Sequence, residues 1–85
     1  MGYIKVYVAA IIYVDERGLV MPLSIVYNGR EYSVDKVVDV RLTPPDHVGG
    51  LLPKRYDCMI LNKVRHIYVE NTGRWFVEVR QSANE

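Results

Sequence analysis

The sequence has 85 residues, of which 49% are hydrophobic and 25% are charged. This composition is typical of one globular domain, which we place over residues 1–85, and it excludes a disordered chain. With 11 Lys and Arg against 10 Asp and Glu, the net charge of +1 excludes a strong overall field toward nucleic acid or an anionic membrane. One cysteine excludes a disulfide framework. Because no stretch has the pattern of an export signal, we expect a reduced thiol and a cytoplasmic protein.

The first predicted strand covers residues 3–14 and alternates with a period of two. Even positions from Ile4 to Val14 are apolar and predict the core face, whereas the odd positions are rich in tyrosine. Twelve residues exceed the usual length of a strand, so we expect a bend or bulge near Ala9 and Ala10, where the side chains are small. A turn at residues 15–18 leads into the second strand.

Asn28-Gly29 is the strongest local signal, since both central positions of a type I′ turn need a positive φ that Asn and Gly tolerate best. A two-residue loop at this point fixes the register of the hairpin. The predicted pairs on one face are Tyr27 with Arg30, Ile25 with Tyr32 and Leu23 with Val34. We expect the third strand to continue without interruption to Leu42.

The segment over residues 43–54 contains a Pro-Pro pair and a Gly-Gly pair, and it predicts a long loop inside the domain. Further along, Asn71-Thr72-Gly73 predicts a three-residue hairpin loop with glycine in the left-handed position. That loop places Tyr68 beside Phe76 on the outward face of the last two strands.

A second tight turn is predicted at residues 62–63. It would place Cys58 opposite Ile67 in the core. The same registers point His66 outward, where it would pair with Glu78 across the strands.

Six short strands with turn signals between them predict an antiparallel meander, and no window of helix length shows a period of 3.6 residues. Closing the meander would remove its exposed strand edges. We therefore predict an all-β fold in which six strands close into a small SH3-like barrel. An open OB-like or Tudor-like roll is the alternative.

Enzyme chemistry is not favoured by the residues available. Cys58 points into the core while His66 points outward, so the two cannot act as a nucleophile and its base. One cysteine and two histidines without ligand spacing predict no metal site, and no glycine-rich phosphate loop or cofactor motif is present. The enzyme alternative is a site within residues 43–57 that joins His47 to Asp46 or Asp57.

The outward face of the last three strands is the candidate binding site. Tyr68 and Phe76 are predicted neighbours there, and the other apolar side chains on this face are Met59, Leu61 and Val64. A contiguous apolar patch of this kind indicates an interaction surface. Three uses remain open: cover by the N-terminal strand or the long loop, a homodimer interface, or a surface for a ligand or nucleic acid.

Cations near this face suit the nucleic-acid alternative. Single-stranded nucleic acid needs cations for its phosphates and exposed rings for its bases. The candidate binding residues are Tyr68, Phe76, Lys54, Arg55, Lys63, Arg65, His66 and Arg74. The first interpretation is nonetheless a non-enzymatic binding or adaptor module that uses the aromatic face for self-association or a protein partner. No membrane contact is expected.

Motifs spread over nearly the whole chain carry a resemblance to a family. They are the segment from Pro22 to Val37, the Gly49-Gly50 pair, Arg55-Tyr56-Asp57-Cys58 and Arg74-Trp75-Phe76-Val77-Glu78. With these motifs the sequence resembles small firmicute-type bacterial proteins of unknown function. The resemblance implies a compact all-β protein. Relatives sometimes lie near lesion-bypass DNA polymerases, which lends slight weight to a nucleic-acid role. It implies no catalytic or binding residue.

Overall fold

The computed structural model describes residues 3–42 and 53–80 of the chain. Over these residues the protein is all-β, with seven antiparallel strands and no helix. The strands are β1 (Tyr3–Val14), β2 (Val20–Tyr27), β3 (Arg30–Ser33), β4 (Lys36–Leu42), β5 (Lys54–Ile60), β6 (Lys63–Val69) and β7 (Trp75–Arg80). They form one sheet in the order β3-β2-β1-β7-β6-β5-β4, which curls into a half-barrel.

Strand β1 joins the two halves of the sheet, because it is long enough to pair with a different strand along each half. Its first half pairs with β7 and its second half, from Ala9 onward, pairs with β2. The register shifts between Ile11 and Ile12, where β2 contributes Leu23 as the extra residue of a bulge. The predicted strand is confirmed, whereas the bulge expected in β1 near Ala9 and Ala10 is wrong, because the extra residue belongs to the partner strand β2.

The two edge strands, β3 and β4, follow each other directly in the chain. Between them, the N–H of Val34 donates to the carbonyl of Leu23 on β2 at 2.9 Å, and the N–H of Asp35 donates to the carbonyl of Met59 on β5 at 2.8 Å. This short link carries the backbone from one edge of the sheet to the other. The predicted third strand is divided here, so the count of six strands is not confirmed.

The core lies between the two halves of the curled sheet. Its buried members are Ile25, Tyr56, Cys58, Ile60, Ile67 and Trp75. The rings of Tyr56 and Trp75 pack with centroids 5.3 Å apart, and the Tyr56 hydroxyl donates to the Val20 carbonyl at 2.9 Å. Apolar area removed from water at this interface is the main favourable term in folding.

The hairpins at Asn28-Gly29 and at residues 71–73 have the predicted registers. Asn28 and Gly29 have φ of 54° and 74°, and the pairs from Ser24–Ser33 to Tyr27–Arg30 follow as expected. At the last hairpin Tyr68 pairs with Phe76 and Val69 with Trp75. Leu23 departs from its predicted inward orientation: the bulge leaves its side chain 49% exposed.

The predicted turn between β5 and β6 is wrong by one residue. Leu61 and Asn62 occupy the turn with φ of 52° and 65°, and Tyr56 therefore faces Ile67 while Cys58 faces Arg65. The pairing is displaced by an even number of residues, so the side chains within β5 and β6 keep their predicted faces, whereas Leu61 leaves the outward face for the turn. Cys58 is consequently still fully buried.

The predicted loop over residues 43–54 extends too far at its end, since Lys54 is the first residue of β5. Residues 43–52 lie outside the described residues, and with them Asp46, His47 and most of the enzyme alternative. Asp57 belongs to the middle of β5, where its environment is described below.

Candidate interaction site

The predicted aromatic neighbours form a stacked pair on the outer face of the sheet. The rings of Tyr68 and Phe76 lie 4.9 Å apart between centroids and 4° from parallel, and Tyr7 meets Phe76 edge-on at 6.0 Å. The Lys5 ammonium lies 4.7 Å from the Phe76 centroid. Tyr68 and Phe76 are only 7% and 5% exposed. Their rings are thus used on each other and on side chains of the same face.

Glu70 holds in position the side chains that cover the Tyr68–Phe76 pair. Its Oε2 accepts hydrogen bonds from Lys5 Nζ at 2.8 Å and from the Tyr7 hydroxyl at 2.9 Å, while the Arg74 guanidinium lies 3.5 Å from the Tyr7 centroid. The hydrogen bond from Lys5 lowers the pKa of Glu70 below its usual range, and the same bond raises the pKa of Lys5. Strand β1 therefore covers the aromatic pair from its side with side chains, without forming a second layer.

Asp57 forms a second polar cluster beside the rings. Its Oδ1 lies 2.7 Å from His66 Nδ1 and 3.0 Å from Arg55 Nε, an ion-pair distance, although Arg55 Nε makes no hydrogen bond within the described residues. His66 pairs with Asp57, its neighbour in the observed register of β5 and β6, and not with Glu78 as predicted, because the ladder between β6 and β7 ends at Tyr68 and Phe76. Glu78 instead accepts from the Tyr68 hydroxyl at 3.2 Å. Burial is the main reason that the pKa of Tyr68 is raised.

The eight predicted site residues do not lie on one surface. Tyr68, Phe76, Arg55 and His66 share the outer face, with Arg74 at its edge against Tyr7. Lys63 and Arg65 stand opposite Ile60 and Cys58 in the β5–β6 ladder and so share the face of the core residues, at its open end. Lys54 has Val69 and Leu42 as ladder partners, at the other end of β5. Strand alternation separates these cations.

A different surface is more apolar than the predicted one. We call residues 11–23 the hairpin arm, since they form the end of the β1–β2 ribbon. Its large apolar side chains with at least 41% exposure are Ile11, Ile12, Tyr13, Val14, Leu19, Met21 and Leu23. Along β1 these residues alternate between the two faces, so the arm exposes apolar side chains on both.

The arm also has an open backbone edge. Strand β7 pairs with β1 only as far as Val8, and within the described residues nothing pairs with the same edge of β1 from Ala9 to Val14. On the other side of the ribbon, β3 begins its pairing with β2 at Ser24. No lysine or proline blocks β1 in this stretch, and an unblocked edge strand is a template for pairing with another chain.

The alternation of β1 did not predict the arm, because the even positions read as a core face along the whole strand. The signal that would have found it is the run Ile11-Ile12-Tyr13-Val14, in which both parities are apolar. Four consecutive apolar residues at the end of a ribbon indicate that neither face is a polar, solvent-facing surface.

The single thiol of the chain is buried. Burial raises the pKa of the Cys58 thiol to about 11, so the thiol is protonated and inert near neutral pH. Across residues 3–42 and 53–80, no three His, Cys, Asp or Glu side chains are grouped as metal ligands would be. The same residues include no helix long and apolar enough to cross a membrane.

Comparison of the chain with protein-family models, curated proteins and solved structures finds no match.

Proposed function

We propose that this chain is a non-enzymatic interaction module that associates with a second copy of itself through the hairpin arm. The observation that carries the proposal is the arm's combination of two apolar faces with one open β edge. A two-stranded ribbon is only marginally stable in water by itself. A contiguous exposed apolar patch of this kind marks an interaction site in soluble proteins.

Symmetry and charge both suit a second copy as the partner. Two β1 edges can pair antiparallel about a two-fold axis, since each presents the same residues to the other. In that arrangement the tip of one arm lies beside the base of the other. The tip carries Asp15 and Glu16 against one Arg17, and the base carries Lys5 and Arg74 against one Glu70. The two ends therefore have complementary charge.

We also propose that the fold is a small SH3-like barrel with one elongated ribbon. Two features support this assignment. Strand β1 pairs with both halves of the sheet, and the short link between β3 and β4 connects its two edges. The Tyr68–Phe76 face then stiffens the barrel, and the arm makes the contact. Nucleic-acid binding is less favoured, because the ring faces are occupied and the cations are divided between two faces of the sheet.

Sedimentation equilibrium across roughly 10 to 500 µM tests the proposal, since weak dimers populate in this range. We expect the wild-type mass to rise from one chain toward two. Ile11→Glu should remain one chain at every concentration while keeping the β-sheet signal of circular dichroism, because the new carboxylates would be buried against each other.

The matched control is Val38→Glu, at an equally exposed apolar position on the edge strand β4. It should dimerise like the wild type. A wild-type protein that stays one chain at the highest concentration would overturn the proposal, as would an equal loss of association in both variants. Salt-sensitive binding of a short single-stranded DNA to the one-chain form would favour the nucleic-acid alternative in its place.

A further inference from the structure

The ladder between β6 and β7 is much shorter than the two strands themselves. Tyr68–Phe76 and Val69–Trp75 are its pairs in the described chain, whereas β6 starts at Lys63 and β7 ends at Arg80. Each strand is paired along its full length on its other side. The two strands diverge after the hairpin and leave a crevice that leads from the surface to the core.

This crevice has a volume of about 660 Å³ and reaches the interior of the half-barrel. Its apolar floor includes Val77 and Val79, with the buried core residues Ile25, Ile60 and Ile67 beneath it, while Tyr27 and Tyr32 line it from the opposite half of the sheet. A volume of a few hundred Å³ with an apolar floor and a few polar groups is typical of a small-molecule site.

Charge at the rim is unbalanced toward the positive. Arg65 and Arg80 line the crevice together with one carboxylate, Glu78, which already accepts a hydrogen bond from Tyr68. A third guanidinium, that of Arg30, lies 5.2 Å from the centroid of the lining Tyr32 ring. Guanidinium groups bind carboxylates and similar oxyanions through paired hydrogen bonds.

An unusual backbone conformation places one more apolar side chain at this rim. Leu61 lines the crevice from the β5–β6 turn, where its φ is 52°. Leucine rarely adopts this left-handed conformation, for which asparagine or glycine would be the common choice. A strained backbone conformation next to a cavity points to a use for the side chain that it positions.

We propose that the crevice between β6 and β7 binds a small amphipathic anion, that is, a carboxylate or sulfonate joined to a hydrocarbon or aromatic body. The apolar body occupies the floor and the anion pairs with Arg65, which lies on the core side of the crevice. The site is independent of the proposed self-association, since the arm's residues do not line it.

The probe is 1-anilinonaphthalene-8-sulfonate, whose fluorescence rises on transfer from water to an apolar site. We expect saturable binding at one site per chain and displacement by decanoate. N-phenyl-1-naphthylamine, the same body without the sulfonate, measures the apolar part alone. Arg65→Gln should weaken sulfonate binding roughly tenfold, the loss of one charge-assisted pair, and leave the neutral probe unchanged.

Three further variants keep the test decisive. Arg41→Gln, on the outer face of β4, controls for the loss of any surface charge, and Ile11→Glu controls for probe bound to the hairpin arm; both should bind like the wild type. Leu61→Asn should raise the thermal midpoint by a few degrees and still weaken both probes, which misfolding could not explain. Equal binding by Arg65→Gln and wild type, or loss of binding in Ile11→Glu, would overturn the proposal.

Discussion

The half-barrel body and the hairpin arm contain the same kinds of residue and reach opposite degrees of burial. In the body, Ile67 is completely buried between two halves of a curled sheet, whereas Ile11 in the arm is 50% exposed. Both lie on β-strands with hydrogen-bonded neighbours. The difference shows that strand pairing alone does not bury a side chain, because burial requires a second layer that the arm lacks.

The largest difference in the free energy of unfolding is expected between alanine substitutions in the body and in the arm. Ile67→Ala should lower the free energy of unfolding by about 3–4 kcal/mol, through lost transfer energy and a cavity. Ile11→Ala should lower it by less than about 1 kcal/mol in dilute solution, where the arm is uncovered. Urea unfolding of both variants below the concentration of self-association measures the difference.

A domain of this size can be unfolded by the full cavity, so Ile67→Val serves as the milder variant and should cost about 1 kcal/mol. If Ile11→Ala were as costly as Ile67→Ala in dilute solution, the arm would be buried within one chain and the distinction between body and arm would be lost.

A smaller effect is expected on the outer face of the body. Asp57→Asn should lower the free energy of unfolding by about 2 kcal/mol. It removes the negative charge that contacts both Arg55 and His66. The Arg55 side chain, which is only 24% exposed, then loses its ion pair. Asp39→Asn, at the exposed position opposite Asp57 on β4, should not measurably change the midpoint of urea unfolding.

Equal midpoints for the two asparagine variants would show that the outer face of the body is as loosely coupled as the arm. In that case the Tyr68–Phe76 face would again be the candidate surface for contact with a partner.

Local signals decided which parts of the fold could be predicted. The Asn28-Gly29 turn gave the correct register because its φ requirement leaves few residues to choose from. The same reasoning failed at Leu61-Asn62, since leucine gives no sign of a left-handed conformation. Alternation survived that error, so Cys58 was still assigned correctly to the core.

Non-local pairing was beyond the sequence patterns. The sequence of β1 does not indicate that Val8 pairs with Trp75 while Ala9 pairs with Val26. This change of partner strand leaves the arm uncovered. The crevice likewise depends on where β6 and β7 diverge, which follows from the curvature of the whole sheet and not from either strand. The candidate site was therefore predicted at Tyr68 and Phe76, where the alternation was readable.

The smallest expected effect concerns pH and separates Glu70 of the body from Glu16 of the arm's tip. The hydrogen bond from Lys5 lowers the pKa of Glu70, so the folded state favours its ionised form. Its contribution to the free energy of unfolding is present above the ordinary glutamate pKa of about 4.3 and is lost as the pH falls through the lowered value. Lys5 behaves in the opposite sense: its pKa is raised, and its contribution disappears as the pH rises through that value.

Glu70→Gln should therefore flatten both the acid and the alkaline decline of the thermal midpoint, by an amount equivalent to at most about half a kcal/mol, because water screens the partly exposed pair. Glu16→Gln should leave both limbs as they are in the wild type at protein concentrations too low for association. If the two variants gave the same pH profile, the Lys5–Glu70 bond would not tie β1 to the β6–β7 hairpin in solution. The body would then resemble the arm in having an outer face without electrostatic coupling.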